Sequence, residues 1–166
     1  CKPLQHPNVV RLYDHGSSRG AFFFTQEFCD GGSADKLMVR QGGNLSVAEA
    51  MPIVFGTLDG LEYAHHVKVM SKLADGRLKE AEGLVHRDLK PHNIFLSGSG
   101  SGRVAKVGDY GLAKAFDTAG LSGHTRSGQD VGGTLAFMPR QQLRDFKYAK
   151  PEVDVYAVAA SLYCML

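Results

Sequence analysis

Residues 84 to 96, LVHRDLKPHNIFL, place a histidine, an arginine, an aspartate, a lysine and an asparagine between two aliphatic runs. The aliphatic runs indicate that both ends of the stretch are anchored in a core. A buried polar group without a hydrogen-bond partner carries a substantial free-energy cost. The stretch is therefore either a turn whose polar groups are all satisfied or a functional site, and the rest of the chain has to distinguish the two.

Composition narrows the class of protein. The 166 residues are 43% hydrophobic and 22% charged, which is typical of a globular domain with a core. The formal net charge is only +2 and the basic residues are scattered, so we expect no nucleic-acid partner. Three widely spaced cysteines indicate a reducing, cytoplasmic compartment. No apolar run is long enough to span a membrane, so we expect no membrane contact within this segment, and the oligomeric state stays open.

Two helices are predicted in the first half of the chain. Ser33 precedes a short helical pattern over residues 34 to 41. Ser46 and Glu49 form a capping box that opens a longer helix, which we expect to run to about His65. The apolar stripe predicted for this helix consists of Val47, Met51, Val54, Leu58 and Leu61.

Three hairpins are also predicted. HPNVVRLYDHG and AFFFTQEF flank the turn-forming GSSRG, and NIFLS and VAKVG flank a glycine/serine stretch. Residues 67 to 83 form a polar insertion that we expect to be a third hairpin. His65 and His66 are interpreted as helix-end or surface histidines rather than metal ligands. The polar stretch 116 to 133 is too long for an ordinary connection, and EVDVYAVAASLYCML predicts a closing helix.

Four motifs follow one another along the chain, the first of them within the opening stretch: HRDLKPHN (86–93), DYGLAK (109–114), GTLAFMPRQQ (133–142) and DVYAVAASLY (154–163). In this order they resemble the signature set of protein kinase catalytic domains. HPNVVRL and QEFCDGGS resemble the fourth strand and the hinge of that family. The resemblance implies an α+β, partial protein kinase-like fold. Residues 1–30 would be the end of the N-lobe with the hinge, and residues 31–166 the first, mainly helical, part of the C-lobe.

The resemblance also implies a serine/threonine protein kinase that uses ATP and Mg²⁺ and acts on protein substrates. Asp88 would accept or orient the proton of the substrate hydroxyl, and Lys90 would neutralise charge on the transferred phosphoryl group. Asn93 and Asp109 would hold magnesium through oxygen atoms. Thr134 resembles the threonine that bridges Asp88 and Lys90 in the serine/threonine branch.

ATP would be held by residues from two motifs. Backbone groups of Glu27 and Cys29 lie where the family's hinge contacts adenine, and Gln26 lies where a side chain guards the back of the pocket. Lys90 and Asn93 would contribute to ATP binding from HRDLKPHN (86–93), which corresponds to the family's catalytic loop and is called the catalytic loop below.

Arg87 corresponds to the family's regulatory arginine, which binds a phosphate on the activation segment. The candidate phosphate acceptors are Thr118, Ser122, Thr125 and Ser127. Ser127 lies nearest the usual position. Asp130 offers an alternative, because a fixed carboxylate there would make phosphorylation dispensable.

Four residues are expected to have structural roles. His86 would pack beneath the metal-binding loop, and Asp154 would accept backbone N–H groups of the His-Arg-Asp loop. Tyr110 replaces the usual phenylalanine and adds a hydroxyl that needs a partner. Gln141 stands where the family has a glutamate in a buried ion pair, so either a hydrogen bond replaces that pair or the distal arginine is absent too.

The chain begins at Cys1 without an initiator methionine and ends within an apolar helical pattern, so we expect a fragment of a longer protein. It contains no G-x-G-x-x-G motif, and the resemblance would place that loop and the ATP-anchoring lysine before Cys1. The fragment by itself is expected to be inactive.

Two other functions stay open at this point. A pseudokinase or scaffold would bind partners without phosphoryl transfer, although it would not need Asp88, Lys90, Asn93 and Asp109 together. A small-molecule kinase of related fold could share the spacing of the aspartate and the asparagine. Residues 111 to 142 weigh against it, because such enzymes generally lack an activation segment of this kind.

Overall fold

The computed structural model describes residues 4–18, 21–72, 78–110, 135–146 and 149–166. Within these ranges the chain forms four α-helices and three small sheets of antiparallel strands. The expected α+β class is therefore confirmed. No helix in these ranges is long and apolar enough to cross a membrane.

The first hairpin forms as predicted. Strand β1 (Leu12–Ser18) pairs antiparallel with β2 (Ala21–Gln26). The segment just before β1 leads into the rest of the molecule, because Val107 N–H donates to the Asn8 carbonyl at 2.8 Å and Val9 forms a parallel bridge with Val107.

Both helices of the first half are present. Helix α1 spans Ala34–Arg40, with Ser33 at the N-cap position, although the Ser33 side chain makes no capping hydrogen bond. Helix α2 spans Val47–His66 and begins with the predicted capping box. The Ser46 N–H donates to Glu49 Oε2 at 3.1 Å, which satisfies a backbone donor that has no partner inside the helix.

The buried face of α2 includes Val54 and Leu61 of the predicted stripe but not Val47, Met51 or Leu58, of which the last two are partly buried. It consists of Ala50, Ile53, Val54, Thr57, Gly60, Leu61 and Ala64. Val47 is exposed, because at 3.6 residues per turn it lies at the edge of a face that is centred on Ile53 and Thr57. The Thr57 hydroxyl is satisfied inside the core by donating to the Ile53 carbonyl at 2.7 Å.

Two further sheets follow. Strand β4 (Lys68–Lys72) pairs with β5 (Leu78–Glu82), which confirms the insertion hairpin. The other sheet contains β3 (Gly32–Ser33), β6 (Ile94–Ser97) and β7 (Val104–Val107), with β6 between the other two strands. The β6–β7 hairpin is the one that the glycine/serine stretch predicted.

The remaining helices are α3 (Arg140–Arg144) and α4 (Glu152–Met165), and α4 is the predicted closing helix. The long polar stretch 116–133 lies outside the described residues. Buried side chains of α1, α2, β6, β7 and α4 form one hydrophobic cluster.

The stretch 84–96 is anchored mainly from its middle and its end. Leu89, Ile94 and Leu96 are buried in the hydrophobic cluster. Leu84 and Val85 are only partly buried. The prediction that both ends of the stretch are anchored in the core is therefore fully confirmed only at the C-terminal end. The polar residues between them are consequently tied to the core through Leu89 and β6.

Gly60 allows α2 to approach the segment that precedes β1. A Cβ atom at this position would overlap the backbone carbonyl oxygen of Asn8. A backbone atom cannot move aside as a flexible side chain can, so the close contact requires glycine here.

We expect Gly60→Ala to lower the free energy of unfolding by about 1–3 kcal/mol through overpacking. Helix propensity alone would favour alanine by about 1 kcal/mol, so the two effects have opposite signs. Urea unfolding of the intact gene product measures the difference. Gly102→Ala is the matched control, because nothing lies within 4 Å of a Cβ atom there. A Gly60→Ala variant as stable as the control would contradict the assignment.

Candidate active site

Asn93 and Asp109 lie at the same end of the β6–β7 hairpin. Asn93 directly precedes β6, whose first residue Ile94 pairs with Val107 at the end of β7. The pairing extends one step further, because Gly108 N–H donates to the Asn93 carbonyl at 3.0 Å. The antiparallel register therefore brings the two predicted magnesium ligands to the same end of strands β6 and β7.

The catalytic loop folds back on itself through a 3₁₀ turn at Pro91–Asn93. Asn93 Nδ2 donates to the Asp88 carbonyl at 2.7 Å and lies 3.4 Å from Asp88 Oδ2. Lys90 Nζ lies 3.6 Å from the same carboxylate oxygen. Asp88, Lys90 and Asn93 are thus brought together in one loop, as the roles implied by the family resemblance require.

Asp109 is in the left-handed region of backbone conformation, with φ of 58°. Burial raises the pKa of its carboxyl group above the ordinary value, and the Asp88 carboxylate acts in the same direction. The Lys90 charge acts in the opposite direction without cancelling the effect of burial on the pKa. An ionised Asp109 therefore carries a desolvation cost that a bound cation would offset.

The oxygen atoms at this end of the β6–β7 hairpin suit a hard cation. Asn93 directs its amide nitrogen toward Asp88, which leaves its amide oxygen for a ligand role. Carboxylate and amide oxygens are the protein ligands that magnesium prefers. No cluster of three His, Cys, Asp or Glu side chains that could hold a metal occurs in the described ranges. The protein would thus supply few ligands, as is usual for magnesium bound together with phosphate oxygens and water.

Asp154 anchors the catalytic loop to the first turn of α4. Its side chain is fully buried. Oδ1 accepts the Arg87 N–H at 2.8 Å, and Oδ2 accepts the His86 N–H at 2.8 Å. The same Oδ2 lies 2.7 Å from His65 Nε2 at the end of α2. The prediction that Asp154 accepts backbone N–H groups of this loop is confirmed.

His86 connects the catalytic loop to the loop that carries Asp109. Its Nδ1 accepts the Asp88 N–H at 3.3 Å, so we assign the ring proton to Nε2, which donates to the Gly108 carbonyl at 2.7 Å. The expected packing role of His86 is therefore confirmed.

Tyr110 packs against the His86 ring edge, with ring centroids 4.8 Å apart. Burial raises the pKa of its hydroxyl. That hydroxyl is buried and finds no hydrogen-bond partner among the residues the structure describes. The partner that the sequence led us to expect is therefore not found in these ranges.

Arg87 has a left-handed backbone, with φ of 67°. Its Nε atom is buried and has no hydrogen-bond partner within the described ranges. The residues predicted to act with it, Ser127 and Asp130, lie outside those ranges, and so does Thr134. Their roles stay predictions.

Some backbone groups of the hinge residues already form hydrogen bonds within the protein. Glu27 N–H donates to the Arg11 carbonyl at 2.8 Å, and the Cys29 carbonyl accepts the Gly32 N–H at 3.1 Å. The Glu27 carboxylate lies 3.0 Å from Lys106 Nζ. Burial, followed by the Glu27 charge, raises the pKa of the Cys29 thiol. Of the four backbone groups of Glu27 and Cys29, the Glu27 carbonyl and the Cys29 N–H make no backbone hydrogen bond among the described residues and are left for a ligand.

The contacts that two residues, His65 and Gln142, make near the catalytic loop were not predicted from the sequence. His65, interpreted as a helix-end or surface histidine, is largely buried and contacts Asp154. Gln141 is exposed, whereas its neighbour Gln142 is buried and donates through Nε2 to the Arg87 carbonyl. No local pattern distinguishes the two glutamines, because the contact joins segments far apart in the chain.

The chain is similar to known proteins over its whole length. The family model described as "Protein kinase domain" matches residues 1–166. Calcium/calmodulin-dependent protein kinase type II subunit delta of Oryctolagus cuniculus is 29% identical over 167 residues, which cover 100% of this chain and 27% of the relative. Calcium/calmodulin-dependent protein kinase type II of Caenorhabditis elegans is 29% identical over 168 residues, covering 100% of this chain and 20% of the relative. The chain thus spans 27% and 20% of the length of these curated relatives.

We expect Asp154→Asn to lower the free energy of unfolding by roughly 2–4 kcal/mol, because one buried N–H loses its acceptor and the other its charged acceptor. Urea unfolding of the intact gene product checks the change. Glu152→Gln is the control, since it removes an exposed carboxylate from the same helical turn. Equal losses in the two variants would contradict the anchoring role.

We expect Asp109→Asn to raise the free energy of unfolding at pH 7 in EDTA without nucleotide. Burial raises the pKa of Asp109, so its ionisation penalises the folded state above the folded-state pKa. The penalty, and with it the gain in the variant, should disappear as the pH falls below the ordinary aspartate value of about 3.9. Urea unfolding across this pH range tests the sign, and the exposed Asp59→Asn should show no such gain. A pH-independent gain would be inconsistent with this explanation.

Proposed function

This chain belongs to the protein kinase domain family, and we propose that the protein containing it is a serine/threonine protein kinase. The reaction is transfer of the γ-phosphoryl group of ATP to serine or threonine hydroxyls of protein substrates. The observation that carries the proposal is the meeting of Asp88, Lys90 and Asn93 in one loop, with Asp109 at the adjoining end of the hairpin. The names of the two relatives also describe them as protein kinases.

Asp88 is the group that we assign to the acceptor hydroxyl. Its side chain is 45% exposed, whereas Asn93 is a buried residue, so a protein substrate can reach Asp88 from solvent. Asp88 would orient the hydroxyl and accept its proton as the new oxygen–phosphorus bond forms and the bond from the γ-phosphorus to the β,γ-bridging oxygen breaks, which releases ADP. Lys90, 3.6 Å from that carboxylate, would stabilise negative charge on the transferred group.

Asn93 and Asp109 are the residues that would hold magnesium. Bound magnesium neutralises phosphate oxygens and keeps them in position for transfer. The desolvated carboxylate of Asp109 and the amide oxygen of Asn93 suit this cation. On the nucleoside side, the Glu27 carbonyl and the Cys29 N–H would face adenine, because neither takes part in a backbone hydrogen bond among the described residues.

Two finer assignments belong to the same proposal. Lys90 and Thr134 support serine/threonine rather than tyrosine acceptors, and Arg87 with Ser127 or Asp130 would control the activation segment. We also place the protein in the cytoplasm. Cys29 and Cys164 are free thiols, and Cys164 is exposed, which suits a reducing compartment.

Replacing Asp88 with asparagine tests the reaction. In the intact gene product, supplied with ATP, magnesium and a mixture of serine- and threonine-containing peptides, Asp88→Asn should lower kcat by about 10²–10⁴-fold, because the general base is lost. Binding of magnesium–ATP should persist, since Asn93 and Asp109 are unchanged. The exposed Asp59→Asn on α2 is the matched control and should keep full activity.

The possible results separate the functions. Magnesium-dependent binding of ATP by the wild-type protein without any phosphoryl transfer would identify a scaffold rather than an enzyme. Transfer that is unchanged in Asp88→Asn would refute the role of this residue. Transfer to a small molecule but to no peptide would contradict the choice of acceptor.

A further inference from the structure

Gln142 is a buried polar residue that the proposed reaction does not use. It is 2% exposed, and it is the one buried residue of α3. Glutamine is rarely buried unless its side chain is hydrogen-bonded. Its Nε2 atom donates to the backbone carbonyl of Arg87, the residue just before Asp88. This contact joins α3 to the catalytic loop.

The peptide unit between Arg87 and Asp88 is held from both sides. The Arg87 carbonyl and the Asp88 N–H belong to one rigid plane. Gln142 binds the carbonyl, and His86 Nδ1 accepts the N–H at 3.3 Å. These two contacts set the rotation of the plane, and with it the direction in which the Asp88 side chain leaves the backbone.

The backbone at this point requires support. Arg87 has φ of 67°, a region that residues other than glycine seldom occupy. Asp154 Oδ1 holds the N–H of Arg87 at 2.8 Å, which fixes the peptide unit before Arg87 but not the one after it. Within the described residues, the hydrogen bond from Gln142 is the contact that fixes the carbonyl of the second unit.

We propose that Gln142 is a positioning residue, which orients the Asp88 carboxylate by holding the Arg87–Asp88 peptide unit. The inference rests on the proposed function, in which Asp88 acts on the acceptor hydroxyl. Asp154 anchors the loop independently of Gln142, so losing the Gln142 contact leaves the loop attached, with the Arg87–Asp88 peptide unit held only at its N–H by the 3.3 Å contact with His86 Nδ1. The effect therefore falls on the chemical step rather than on ATP binding.

Gln142→Met is the main variant. Methionine has a similar length and helix propensity but lacks the amide donor. We expect kcat in the intact gene product to fall roughly tenfold or more, because the less firmly held peptide unit no longer keeps the Asp88 carboxylate in its reactive orientation. The KM for ATP should stay unchanged, and the thermal midpoint should show that the protein is folded. Gln141→Met makes the same change at the exposed neighbouring position and should retain the wild-type kcat.

A double-mutant cycle separates positioning from general stabilisation. If Gln142 acts through Asp88, Gln142→Met should cause no further loss in the residual activity of Asp88→Asn, because the positioned carboxylate is already absent. If Gln142 merely stabilises the folded protein, Gln142→Met should lower kcat by the same factor in the wild-type and Asp88→Asn backgrounds. Equal losses, an unchanged kcat in Gln142→Met, or a rise in the KM for ATP alone would each overturn the inference.

The outcomes also distinguish this inference from the function on which it rests. A wild-type protein without phosphoryl transfer would overturn both. A wild-type protein that transfers phosphate, loses activity in Asp88→Asn and keeps it in Gln142→Met would overturn the role of Gln142 alone.

Discussion

The buried carboxylate of Asp154 is the interaction on which the arrangement of the loop depends. It lies at the start of α4, where the helix dipole favours a negative charge. Its two oxygens accept consecutive backbone N–H groups from His86 and Arg87. A loop that must present polar side chains to solvent cannot be held by hydrophobic packing alone, so this carboxylate supplies the directional attachment to the helical core.

From that attachment, the site is assembled by backbone geometry. His86 connects the loop to the Gly108 carbonyl, and the β6–β7 register carries Asn93 to the same edge as Asp109. The arrangement has a thermodynamic cost, because burial disfavours the ionised form of Asp109. A site that is less stable without its cation is a common compromise between stability and activity.

Much of the fold could be predicted from local patterns. The capping box at Ser46 and Glu49 located the start of α2, and turn residues flanked by β-rich runs located the hairpins. The relative placement of Asp88 and Asn93 also followed from sequence, because five residues with one tight turn leave few conformations. The structural position of Asp154 was predicted only through the resemblance to a family.

The sequence by itself determined the identity and order of the chemical groups, and through short-range spacing most of the elements that carry them. Only the tertiary structure decided which face of α2 is buried, that His65 meets Asp154, and that Gln142 rather than Gln141 reaches the Arg87 carbonyl. The physical reason is that these contacts join residues far apart in the chain. Their geometry depends on how packed elements rotate against one another, and no local periodicity encodes that rotation.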